Sequence, residues 1–209
     1  MSKIDINEKY IPLFKGETRY FVISGGRGSG KSFGVSMFLL NLTYEAGHKV
    51  LFTRYTLTSA GSSIIPEIVE KIELMGVESD FRITKDEIIN LTTGSSIMFK
   101  GIRTSSGNQT AALKSLSGVT TFVLDEAEEL TDEDTFSKID FSIRSKVKAN
   151  RCILILNPTT KEHWIYQRFF MYPNVKAGTN GVNGDVTYIH TTYEDNKKNL
   201  SDSYLEQLY

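Results

Sequence analysis

Gly25-Gly26-Arg27-Gly28-Ser29-Gly30-Lys31-Ser32 satisfies the pattern G-x-x-x-x-G-K-[ST]. Glycines let a backbone wrap a phosphate with its N–H groups turned inward, and a helix N-terminus adds positive potential. In such a loop Lys31 reaches the β- and γ-phosphates of a nucleotide, and the Ser32 hydroxyl is a ligand for Mg²⁺. Arg27, inside the loop, reads as a solvated arginine or, the favoured reading, as a contact to the γ-phosphate, because a guanidinium matches phosphate oxygens in pairs. A second constellation lies downstream. The apolar run Thr121-Phe122-Val123-Leu124 ends in Asp125-Glu126. Asp125 suits a place in the water shell of Mg²⁺, and Glu126 can polarise a water for in-line attack. A second carboxylate at this point favours hydrolysis over transfer to a small acceptor.

Other residues carry weaker signals. Ile153-Leu154-Ile155-Leu156 ends in Asn157-Pro158-Thr159. Asn157 reads either as a contact to the γ-phosphate or the attacking water, or as part of an Asn-Pro turn. Arg54, after a second apolar run, reads equally as a crevice residue or a surface charge. His163, Trp164 and Tyr166 form a stacking site or, on the more usual pattern, a patch of core.

Elements must bring these residues together. Tyr20–Ile23, Lys49–Thr53, Thr121–Leu124, Ile153–Leu156 and Val186–Thr191 read as short buried strands. Helical spacing marks Ser32–Ala46, stopped by Gly47, and Ile64–Met75, with Pro66 near its start and Gly76 past its end. It also marks Thr131–Ser145 with Thr131 as N-cap, Glu162–Phe170, and a segment beginning at Ser201. Phe81–Ile83, Glu87–Leu91 and Ser95–Lys100 suggest a small antiparallel meander, and Pro173–Asp185 a long loop. Uninterrupted apolar strands alternating with helices predict a mainly parallel α/β sheet covered on both faces. Its ligand crevice then lies at the carboxyl ends of the strands, where the chemistry-bearing residues fall.

Composition bounds the rest. The chain has 209 residues, 40% hydrophobic and 23% charged, with a net charge of -1. That is a globular composition sized for one domain. A lone cysteine, Cys152, excludes an internal disulfide framework and a cysteine-based zinc site. No apolar run approaches a membrane span, and MSKIDINEKY has no signal-peptide character. Near-zero net charge leaves nucleic-acid binding to a local patch.

Taken together, these motifs resemble the ATPase domain of the tailed-phage large terminase subunit, the motor that packages DNA into procapsids. The likeness runs in order through GGRGSGKS, VLFTRYTLTSAGSSI at Val50–Ile64, FKGI at Phe99–Ile102, LKSLSGVTTFVLDEAEELT at Leu113–Thr131 and ILILNPTTKEHWIYQRFF at Ile153–Phe170. It ends in HTTYEDNKKNL at His190–Leu200. The resemblance implies a P-loop NTPase of the ASCE type, with ATP and Mg²⁺ as cofactors and a small antiparallel extension of the sheet. It implies that the strand bearing the catalytic glutamate lies next to the phosphate-loop strand. Lys31, Ser32, Asp125 and Glu126 become the ATP and Mg²⁺ residues, Arg27 the arginine of the loop, and Asn157 part of a coupling motif.

The resemblance also implies partners: double-stranded DNA, a portal protein, a small terminase subunit, and further copies in a ring, commonly a pentamer. A basic residue of one copy completes its neighbour's site, with Lys114, Arg144 and Arg103 as candidates. The expected location is the host bacterial cytoplasm at the procapsid portal vertex, and not the mature virion. Family members carry a nuclease domain after the ATPase. Here residues 1–209 are expected to form one ATPase domain without nuclease activity. No glutamine-type adenine motif stands near the N-terminus, and Tyr10, Phe14 and Tyr20 are the aromatic candidates for the base. Competing readings are a helicase or recombinase-like ATPase, a small-molecule kinase and an ATP-binding assembly switch. The kinase lacks a lid, and Glu126 argues against a switch.

Overall fold

A computed structural model describes residues 4–56, 64–103 and 116–207. A nine-stranded sheet runs in the order β3-β4-β5-β2-β6-β7-β1-β9-β8. Its strands are β1 (Tyr20–Gly25), β2 (Lys49–Thr56), β3 (Phe81–Ile83), β4 (Glu87–Asn90), β5 (Ser96–Arg103), β6 (Thr121–Leu124), β7 (Arg151–Leu156), β8 (Gly181–Asn183) and β9 (Val186–Thr191). From β5 across to β9 every pairing is parallel. The β3-β4-β5 meander and the β8-β9 hairpin are antiparallel.

The apolar runs are continuous because both faces are covered. Successive side chains of a strand point to opposite faces. Phe21 and Ile23 therefore join one core, and Val22 the other. The first core is roofed by α1 (Ile11–Lys15), α2 (Lys31–Thr43) and α3 (Ile65–Met75). The second is closed by α4 (Glu133–Ser142) and by α5 (Trp164–Tyr166), which continues as a π-helical turn over Gln167–Met171. A 3₁₀ segment, Tyr193–Asn199, and α6 (Asp202–Glu206) follow β9. Among the described residues no helix is long and apolar enough to cross a membrane.

Several boundaries differ from those the sequence suggests. The glutamate-bearing strand β6 does not neighbour β1, because β7 lies between them, hydrogen-bonded to both. Sequence order carries no record of that insertion. Helix α4 starts two residues late, because Asp132 and not Thr131 is the N-cap, accepting the N–H groups of Asp134 and Thr135. It stops at Ser142, short of Ser145, whose N–H is turned to the Asn150 side chain. Helix α2 ends at Thr43, and Gly47 (φ 89°) turns the chain only afterwards. The Pro173–Asp185 stretch holds strand β8, since its Gly181–Asn183 backbone pairs with β9.

Candidate active site

Strand β1 ends at Gly25 and α2 begins at Lys31, so the phosphate loop spans the strand tip and the helix N-terminus. Gly30 is the helix N-cap at φ 80°, a left-handed conformation that favours glycine. Gly25 is required for a different reason. A Cβ there would lie 2.1 Å from the carbonyl oxygen of Thr191 on β9. Within the loop Ser29 is buried, and its Oγ donates to the Gly26 carbonyl at 2.7 Å. The Lys31 Nζ donates to the carbonyls of Gly25 (2.6 Å) and Gly26 (2.9 Å) and to Asn157 Oδ1 (3.2 Å). Burial pushes the Lys31 pKa down, against the pull of Glu128 and Asp125.

Register sets the opposite wall. Thr53 of β2 pairs with Leu124 of β6, so Arg54, still within β2, and Asp125, just past the end of β6, lie at the same level. Arg54 belongs to the crevice. Its Nε and Nη2 each lie 2.7 Å from Asp125 Oδ2, and its Nε lies 3.7 Å from Glu126 Oε2. Asp125 is only 5% exposed, and burial raises its pKa although Arg54 pulls the other way. Glu126 is more open, and burial also raises its pKa, again against Arg54. Its backbone is left-handed (φ 50°, ψ 46°), a conformation costly for a residue with a Cβ. The turn lets two adjacent carboxylates line one crevice.

That crevice, of about 400 Å³, is lined by the phosphate loop, Arg54, Glu67, Asp125, Glu126 and Asn157. Asn157 thus stands in the site and not in a plain turn. Its Nδ2 donates to Glu128 Oε1 at 2.6 Å and its backbone N–H to Glu128 Oε2 at 3.2 Å. Arg27 lines the same crevice with an exposed side chain. Ser32 and Asp125 bring hard oxygen donors to the one crevice. Two such donors fit Mg²⁺, which keeps several waters and takes the remainder of its shell from phosphates.

Other candidates fall elsewhere. Arg144 is exposed just beyond α4, where Arg19 at the foot of β1 holds the Ile143 carbonyl, at the end of the sheet away from the crevice. Lys114 and the Arg103 side chain lie outside the described residues. The three aromatic candidates for the base part company. Tyr10 lies beneath the loop, its hydroxyl on Ser29 O and Thr191 Oγ1, and burial pushes its pKa up to about 12. Phe14 packs edge-on against Phe38, and Tyr20 donates to Asp140. His163 and Trp164 are structural. Trp164 is buried against Phe136, and His163 caps α5.

Some residues in and beside the crevice had no sequence signal of their own. Glu128 is masked by the acidic run around it, and Glu67 reaches the site from α3 only through tertiary packing. Asn196 and Tyr204 lie against the phosphate loop, Asn196 Nδ2 donating to Gly28 O at 2.8 Å. Beside the crevice is a larger groove of about 680 Å³. It shares Ser29, Gly30, Phe33 and Asn196 with the crevice and is closed by the Asp5–Tyr10 segment and Lys71.

Residues 17–209 match the family described as phage terminase large subunit. The large terminase subunit of Bacillus phage SPP1 is 24% identical over 188 residues, covering 81% of this chain and 43% of that protein. The large terminase of a thermophilic bacteriophage superposes with a TM-score of 0.75 at 13% identity, over 98% of this chain and 50% of its own. In that terminase's complex with ADP the score is 0.70, at the same identity, over 98% of this chain and 49% of its own. The large terminase ATPase domain of Thermus phage P74-26 gives 0.70 at 18% identity, over 98% of this chain and 88% of its own. The chain spans half or less of the SPP1 protein and of the thermophilic phage's terminase chain. It belongs to the phage terminase large subunit family.

Proposed function

We propose that this chain hydrolyses ATP and that the hydrolysis drives double-stranded DNA into a viral procapsid. The observation that carries the reading is the convergence of Lys31, Asp125, Glu126 and Asn157 on one crevice from two strand tips and a helix start. The phosphates of ATP lie in the loop against its N–H groups, and Lys31 exchanges its carbonyl partners for phosphate oxygens. Arg27, free to move, meets the γ-phosphate charge. Ser32 and Asp125 would hold Mg²⁺, which when bound would neutralise phosphate charge. The base and ribose extend into the neighbouring groove past Phe33.

A water between Glu126 and the γ-phosphate then attacks in line. Its oxygen bonds to phosphorus, the β–γ bridging oxygen leaves with ADP, and the proton passes to the Glu126 carboxylate. Burial without a full partner raises the affinity of Glu126 for that proton. Arg54 bridges Asp125 and Glu126, so it orients the carboxylate that takes the proton.

Membership in the family supports a place in a packaging motor. The working form is a ring of copies, commonly five, on a portal protein at the procapsid vertex in the bacterial cytoplasm, supplied with DNA by a small subunit. A basic residue of a neighbouring copy completes each site, drawn from Lys114, Arg103 or Arg144. DNA cutting is assigned to no residue of this chain. The test is steady-state hydrolysis by wild type and Glu126→Gln across protein concentration, with and without duplex DNA. A Glu126-dependent rate that rises with concentration or DNA is expected. Turnover that survives Glu126→Gln, or no turnover under any condition, overturns the reading.

A further inference from the structure

Glu128 lies two residues beyond Glu126, and the hydrolysis outlined above gives it no task. Both of its carboxylate oxygens are nonetheless committed to one residue. Oε1 accepts from Asn157 Nδ2 at 2.6 Å and Oε2 from the Asn157 backbone N–H at 3.2 Å. The other end of the same amide, Oδ1, accepts from Lys31 Nζ at 3.2 Å. An ionised carboxylate has only acceptors and an ammonium only donors. Turning the amide over would set oxygen against oxygen at Glu128 and N–H against N–H at Lys31. The amide therefore has one orientation, and Glu128 dictates it. Asn157 faces the crevice with an acceptor.

An acceptor there suits an ammonium or a water O–H. It does not suit a phosphate oxygen, which also only accepts. We propose that Glu128 is a positioning residue. It holds the Asn157 carbonyl toward the crevice, so that Asn157 takes Lys31 when the phosphates are absent and a water when they draw Lys31 away. Asn157 thereby reads the water side of the reaction and does not touch the γ-phosphate directly. The inference rests on the hydrolytic reading for its consequence, though not for its geometry. A second contact extends it. The Glu128 carbonyl accepts from His163 Nε2 at 3.1 Å, and His163 Nδ1 accepts the N–H of Ile165 at the start of α5. A shift of Asn157 is thus shared with the helix that follows it.

The test is a swap of hydrogen-bonding sense. Glu128→Gln alone sets an amide N–H or a lone acceptor against the two donors of Asn157. Asn157→Asp alone sets two carboxylates together. When the two are combined, the amide at position 128 donates to the carboxylate at position 157. Its oxygen still accepts the backbone N–H there, and a carboxylate oxygen is left toward Lys31. Each single variant of the purified chain should lower kcat by about 10- to 100-fold, with KM for ATP within about twofold. The double variant should recover at least about tenfold over either single. Additive losses, or losses confined to KM, overturn the proposal.

A second readout needs no turnover. The side-chain NH₂ resonances of Asn157, identified by their loss in Asn157→Asp, should exchange slowly with solvent in wild type and rapidly in Glu128→Gln. Equal exchange overturns the proposal whatever the hydrolysis shows. An inactive wild type with protected Asn157 protons refutes the hydrolytic reading alone and upholds the positioning.

Discussion

Two buried aspartates stand at opposite ends of the same sheet and behave in opposite ways. Asp125, at the crevice, is 5% exposed, and Asp140, on α4 near the foot of β1 and β7, is 2% exposed. Burial pushes both upward. At Asp125 burial wins, although Arg54 opposes it. At Asp140 hydrogen bonds from Tyr20, Cys152 and Arg19 outweigh burial and hold the carboxyl below its ordinary range. The distances match: Tyr20 Oη lies 2.7 Å from Oδ2, Arg19 Nη2 2.6 Å from Oδ1 and Cys152 Sγ 3.1 Å from Oδ1. Arg168 adds a contact at 3.6 Å while its guanidinium lies over Tyr20, Phe136 and Phe169. The lower site is complete in itself and ties α4 to the sheet. The upper one keeps unmet electrostatic demand, which a cation can answer.

The largest expected effect breaks the upper site alone. Lys31→Ala should reduce ATP turnover at least ~10³-fold while the melting temperature changes little. Normal turnover would remove Lys31 from the chemistry. Next, Asp140→Asn should break the lower site, costing about 3 kcal/mol because it removes the buried carboxylate that Arg19, Tyr20 and Cys152 all engage. Denaturant titration reads that loss, and nucleotide affinity per folded molecule should be unchanged. A variant that melts like wild type would show that the latch contributes little.

The two aspartates should also separate by the sign of their pH dependence. The depressed pKa of Asp140 gives stability that is present above about pH 4 and lost as pH falls through the lowered value. The raised pKa of Asp125 gives stability that is present below about pH 4 and lost as pH rises through the raised value. Melting curves from about pH 3 to 7 should therefore show Asp125→Asn gaining on wild type as pH rises, and Asp140→Asn falling further behind. Parallel profiles would refute the contrast. The smallest structural effect belongs to Arg27→Ala. Its exposed side chain leaves stability within about 0.5 kcal/mol of wild type, while hydrolysis falls by about tenfold or more. Unchanged hydrolysis would make Arg27 a solvated charge.

Much of this was legible in the residues. The phosphate loop and the Asp125-Glu126 pair are local patterns, each fixed by one strand end and the turn after it. Parallel, doubly covered strands follow from unbroken apolar runs. What stayed hidden is what depends on neighbours distant in sequence. The place of β7 between β1 and β6 is set by crossovers, and no residue type announces it. Arg54 reads equally as a surface charge until the register puts it beside Asp125. Glu128 is one carboxylate in a run of similar ones, and only its two contacts to Asn157 set it apart. The Thr131 cap failed for a simpler reason, since Asp132, one residue on, accepts two helix N–H groups.

The edges of the sheet carry a consequence of their own. Among the described residues the strand at either margin, β3 or β8, is three residues long and antiparallel to its neighbour. Strands that short present too few free backbone groups to recruit another chain's strand. Neither margin therefore offers a second copy of this chain a strand edge long enough to extend the sheet. The ring of copies proposed above would then rest on side chains and loops, contacts that can be made and released without undoing a ladder of hydrogen bonds.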